Sequence, residues 1–179
     1  MRLFCRNIAS TNFPARYLVS VFLLTTFAPI RAQELPTGWR RPTRAECSGQ
    51  WRQKSPTQFL VVKGDFDGDG KVDSAQLLVN PSTKQVALFV VPASTSEWQM
   101  LDKPYDVADF DRFGIDFVKP GRYETACGKG YGDWACAHGE PNWLTLAHPG
   151  INFFYTESSS SFYYWDQKTK AFREVVMSD

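Results

Sequence analysis

The densest run of reactive side chains in this 179-residue chain is Asp65-Phe-Asp67-Gly-Asp69-Gly-Lys71-Val-Asp73. A chain that wraps around a cation presents alternate side chains to it, and Asp65, Asp67, Asp69 and Asp73 keep that spacing. Gly68 and Gly70 permit the tight curvature. Calcium takes about six to eight hard oxygen ligands, which the four carboxylates, the Lys71 carbonyl and water can supply. Without a cation the same carboxylates repel one another. Aspartate and glycine also make good turns, so an acidic turn without metal is the alternative reading.

Two features separate this run from an EF-hand. Position twelve holds Gln76 where a bidentate glutamate is needed, and both flanks are short strand-type runs instead of helices. A calcium loop between strands resembles the FG-GAP and VCBS type repeats of integrin-like β-propeller blades, with their Asp-x-Asp-x-Asp-Gly-x-x-Asp pattern. The likeness covers roughly residues 58–91. It implies Asp65, Asp67, Asp69, the Lys71 carbonyl and Asp73 as ligands of a structural Ca2+. Ser74 replaces the usual apolar residue after the last aspartate, and Phe113-Gly114 lies too far downstream to be the family's Phe-Gly pair. A single loop cannot build a closed propeller of about four to eight blades. The carboxyl-terminal run through Phe162-Tyr-Tyr-Trp-Asp166 is similar to small bacterial secreted proteins that carry one such loop.

Other groups offer weaker chemistry. Gly128-Lys-Gly-Tyr-Gly132 lacks the flanking strand and helix of a phosphate cradle. His138 and Glu140, with Glu124, Asp133 and Asp166 as further carboxylates, form the candidate acid and base set of a small hydrolase using residues 127–140. His148 precedes Pro149-Gly150 and reads as a turn residue, the pair suiting the middle of a type II turn. No Gly-x-Ser-x-Gly motif marks a nucleophilic serine. Phe162, Tyr163, Tyr164 and Trp165 alternate across a strand. If both faces are covered this is core, whereas a bare Tyr163 and Trp165 row is a platform for sugar rings or a protein partner.

The elements that must position these groups read as β. Candidate strands at 58–63, 75–79, 85–91 and 98–101 are consecutive and predict one antiparallel meander, and those at 143–147, 151–155, 161–165 and 171–176 predict a second. Residues 106–113 read as a helical turn and 121–124 as a short edge strand. Thr43 and Glu46 have the residue types of a capping box, which predicts a short helix continuing through Gln53. The fold class expected is mostly β, with two small blade-like antiparallel sheets and a short amino-terminal helix.

The amino terminus pairs Arg2, Arg6 and Arg16 with an apolar run, Tyr17 to Ile30, and a small-residue cleavage site at Ala32. About 14 apolar residues fall short of the roughly 20 that span a membrane, so residues 1–32 read as an export signal, without membrane insertion after cleavage. Residues 33–42 read as a flexible lead-in and 43–179 as one domain. Export to the periplasm or beyond favours a disulfide. Of three possible pairings among Cys47, Cys127 and Cys136, that of Cys127 with Cys136 is preferred because the intervening glycines fold back easily. His138 near Cys136 fits no common zinc spacing. Removing four arginines with the signal leaves 16 basic against 19 acidic residues, a net charge of −3 that gives no general attraction to nucleic acid. The function expected is a calcium-stabilised, non-enzymatic binding domain that engages another protein, as an inhibitor, an immunity-type factor or an envelope component. The alternatives are a carbohydrate-binding module and the small hydrolase above.

Overall fold

In the computed structural model the described residues are 34–131, 136 and 139–178. The expectations for residues 1–32, Asp133 and His138 lie outside them. Side chains of the first strands alternate between the two faces of their sheet. Strands β1 (Val61–Gly64), β2 (Asp73–Asn80), β3 (Gln85–Val91) and β4 (Gln99–Met100) form the expected antiparallel meander, and β5 (Tyr105–Asp106) also pairs with β3. In β2, Ala75, Leu77 and Val79 point to one face; opposite them in β3, Val86, Leu88 and Val90 do the same. A 3-10 turn, Val107–Arg112, replaces continued strand, its first turn capped by the Asp106 carboxylate accepting from the Ala108 N–H at 2.8 Å.

The second sheet departs from expectation. Its order is β11 (Ala171–Ser178), β10 (Ser160–Asp166), β9 (Gly150–Tyr155) and β6 (Phe113–Val118). Strand β6 was not anticipated, because Gly114 and Asp116 break its apolar pattern. A Cβ at Gly114 would stand 2.4 Å from the Phe154 ring and 3.0 Å from Trp51, so any larger residue there forces these rings to shift. The strand expected beside β9, β8 (Trp143–Leu146), instead pairs with β7 (Gly121–Glu124) as a separate two-stranded ribbon. Gly150 opens β9 opposite Val118 and is not among the positive-φ glycines, so the expected type II turn does not form.

Three apolar layers follow from this arrangement. Between the sheets lie Val62, Phe66, Leu77, Val79, Val86, Leu88 and Val90 with Phe113, Ile115, Ile151, Phe153 and Tyr163. The ribbon covers the outer face of the second sheet through Leu144 and Leu146 against Val118, Val175 and Met177. The outer face of the first sheet, Leu78, Ala87 and Phe89, is covered by Leu35, Trp39 and Trp98. Residues 34–42 are therefore not a loose lead-in. Arg40 exchanges two 2.9 Å backbone hydrogen bonds with Val79, and the Trp98 indole donates to the Glu34 carbonyl at 2.7 Å.

Thr43 and Glu46 exchange the hydrogen bonds of a capping box, yet no α-helix follows; the helical segment is a 3-10 turn at Gln50–Lys54. Glu46 is held sideways by Arg40, and Arg52 is drawn into the core. Among the described residues no helix is long and apolar enough to cross a membrane.

Candidate metal centre

The acidic run is the connection between β1 and β2, closed where Gly64 pairs with Asp73. Phe66, fully buried, pins the loop to the core, and Gly68 and Gly70 take φ values of +78° and +84° that other residues rarely adopt. Phe66 faces the core while its neighbours Asp65 and Asp67 remain half-buried. One carboxylate oxygen from each of Asp65, Asp67 and Asp73 lies within 4.8 Å of the others. This acidic trio can hold a metal ion.

The hydrogen bonds around the trio leave acceptor capacity to spare. Asp73, 1% exposed, accepts from the N–H groups of Phe66 at 2.8 Å, Asp67 at 3.4 Å and Ala93 at 2.8 Å. Burial raises its carboxyl above the usual range, against the lowering effect of those donors. Asp67 accepts at one oxygen from the Asp69 N–H at 3.1 Å and at the other from the Ser94 hydroxyl at 3.1 Å. Asp65 accepts only from the Gly70 N–H, at 3.0 Å through Oδ2. Its Oδ1 is buried with no hydrogen-bond partner. A carboxylate offers about four lone-pair sites, so Asp65 has most of its capacity unspent.

Asp69 is not part of the trio. The Asp69 carboxylate accepts from the Lys71 N–H at 2.7 Å, with the Lys71 ammonium 3.4 Å away. Distant parts of the chain brace the loop. The Gln167 amide of the β10–β11 hairpin donates to the Asp67 carbonyl at 2.9 Å, and the His148 ring lies where a Gly68 side chain would be, 2.5 Å from its ideal Cβ. Sequence spacing carries no sign of Ser94, Gln167 or His148 at this loop, because each comes from a separate strand connection.

The remaining expected residues are distributed elsewhere. Cys127 and Cys136 form the disulfide, with Cα atoms 5.0 Å apart, and Cys47 is a free thiol packed against the core. The glycine-rich segment turns on the buried Thr125 hydroxyl, which donates to the Pro141 carbonyl at 2.6 Å and accepts from the Gly128 N–H at 3.2 Å. A Cβ on Gly128 would meet the Asn142 carbonyl at 2.2 Å, so packing requires this glycine. The open Tyr163 and Trp165 row is corrected: Tyr163 is 1% exposed, because β10 runs through the sheet interior and the facing sheet covers this side. Only Trp165 keeps partial exposure, packed against Phe172. The chain matches no family model, no curated protein and no solved structure.

Proposed function

We propose that this chain is an exported binding domain stapled by calcium, without a catalytic role. Asp65 Oδ1 carries the reading, since a buried carboxylate oxygen lacking any donor costs free energy that a cation removes. Two oxygens each about 2.4 Å from one calcium ion stand no more than about 4.8 Å apart, which fits the spacing of the trio. The donor set is all oxygen, which favours a hard cation over zinc or copper. The likeness to the FG-GAP and VCBS calcium loop supports the same ion. Its position ties β1 and β2 to the residues after β3, and through Asp67 to the β10–β11 hairpin. An ion so enclosed holds the fold together.

Export is supported by the disulfide and by the signal-type amino terminus. Another protein is the partner this reading favours. On the ribbon, Trp143 is 45% exposed with the Arg122 guanidinium 4.3 Å from its ring centre, and these residue types dominate protein contacts.

The test is thermal unfolding of residues 33–179 in calcium and in chelator, beside an Asp65→Asn/Asp67→Asn variant. Calcium at about a thousand times its dissociation constant contributes roughly 4 kcal/mol, a rise of about 10 °C for a domain of this size. The expected result is that rise in the natural chain and none in the variant. An unchanged midpoint in the natural chain would remove the calcium reading.

A further inference from the structure

We infer that the pocket between the acidic loop and the start of the β10–β11 hairpin binds a neutral sugar ring. The pocket goes beyond the calcium-stapled reading. Its volume is about 210 Å3, with Phe66, Thr145, His148, Tyr164, Trp165 and Asp166 among its walls. Drug-sized sites occupy about 300–1,000 Å3, so this one suits a single small ring.

Unspent hydrogen-bonding groups converge here. Among the described residues, the Trp165 indole N–H, the Thr145 hydroxyl and the His148 ring nitrogens have no hydrogen-bond partner. Trp51 and Trp98, by comparison, donate their indole N–H groups to the carbonyls of Asp111 and Glu34, whereas Trp39 and Trp143, like Trp165, keep theirs without a protein acceptor. Trp165 is also fixed in place, with the Phe172 ring 5.2 Å away at 71°. His148 is seated against Gly68, and the hairpin is tied to the loop by Gln167. The walls are thus held before a ligand arrives, which reduces the ordering cost of binding.

The chemistry of the walls selects the ligand. Among the described lining residues there is no lysine or arginine, so the walls themselves offer an anion no cationic partner. The one lining carboxylate, Asp166, already accepts from the Lys168 N–H at 2.9 Å and faces the Arg173 guanidinium at 3.5 Å, so its charge is answered and does not call for a cation. What remains is a donor, a hydroxyl that donates and accepts, an imidazole, and aromatic surface. A sugar ring presents the complement, with hydroxyls around its edge and apolar C–H groups on its face.

The test uses isotope-labelled residues 33–179 in calcium, titrated with methyl glycosides of glucose, galactose, mannose and N-acetylglucosamine, and separately with choline and inorganic phosphate. At least one glycoside should shift the Trp165 indole N–H resonance saturably. Thr145→Val should weaken that binding by about threefold and His148→Ala by about tenfold, each losing one hydrogen bond. The inference is overturned if no glycoside moves the resonance, if only choline or phosphate does, or if both variants bind as tightly as the natural chain. The calcium-dependent midpoint, read on the same samples, separates failure of this pocket from failure of the metal site.

Discussion

At the scale of single residues, the positions of charge carry most of the information. Arg52 is 0% exposed, and its guanidinium donates to the Phe110 and Phe113 carbonyls, both at 2.6 Å, while packing against the rings of Trp51 and Phe110. Burial lowers its pKa, yet the guanidinium stays charged because its free value is so high. Nearer the surface, Arg40 holds Glu46 through two 2.8 Å hydrogen bonds, and Thr43 adds donors from its N–H and hydroxyl. The Arg40 pair, with these donors behind it, holds the Glu46 carboxyl down at about 2, against 4.5 for a free glutamate. A depressed carboxyl stabilises the fold above the unfolded value. That contribution disappears as pH falls from about 4.5 through about 2, when the folded protein takes up the proton. Solvent screens the pair, so the effect is about 1 kcal/mol. Urea unfolding followed across this window should show the decline in the natural chain and a flatter profile in Glu46→Gln.

At the scale of elements, residues 34–42 act as a cover strand. Trp39 packs edge-on against Phe89, ring centres 4.8 Å apart at 67°, and Gly38 at φ +83° lets the chain turn to bring it there. Without this segment the outer face of the first sheet, Leu78, Ala87 and Phe89, would keep only Trp98 as cover. Trp39→Ala should therefore lower stability by about 2 kcal/mol, the partial burial of Trp39 placing it below a full core truncation. Chemical denaturation checks the size. Trp39 was legible as an aromatic residue and nothing more, because its partner Phe89 is fifty residues away and its own neighbourhood is rich in proline and charge.

At the scale of the whole molecule, the acidic loop is where the two sheets meet. Asp67 receives Ser94 from the end of the first sheet and Gln167 from the hairpin of the second, while His148, from the connection between β8 and β9, closes over Gly68. Gly68→Ala should lower stability by about 1–3 kcal/mol, because the backbone is at positive φ and the new methyl displaces His148. The same change should reduce the rise in melting midpoint that calcium gives. A Gly70→Ala control, where φ is +84° but no atom lies within 4 Å, separates backbone strain from the loss of the cross-sheet contact.

The sequence by itself determined the β class, the first meander, the disulfide pair and the acidic loop. All four rest on short-range information: alternation with a period of two, turn residues between runs, and ligand-type residues at alternate positions of one segment. Tertiary structure alone decided that β6 enters the second sheet, that β8 leaves it for a ribbon, and that Tyr163 is core while Trp165 lines a pocket. It also drew Asp65, Asp67 and Asp73 together while leaving Asp69 with Lys71. Each of these outcomes depends on which distant surface arrives to cover a strand or brace a loop. Local residue order is silent on that, since the deciding contacts join segments roughly 30–100 positions apart that share no periodic pattern.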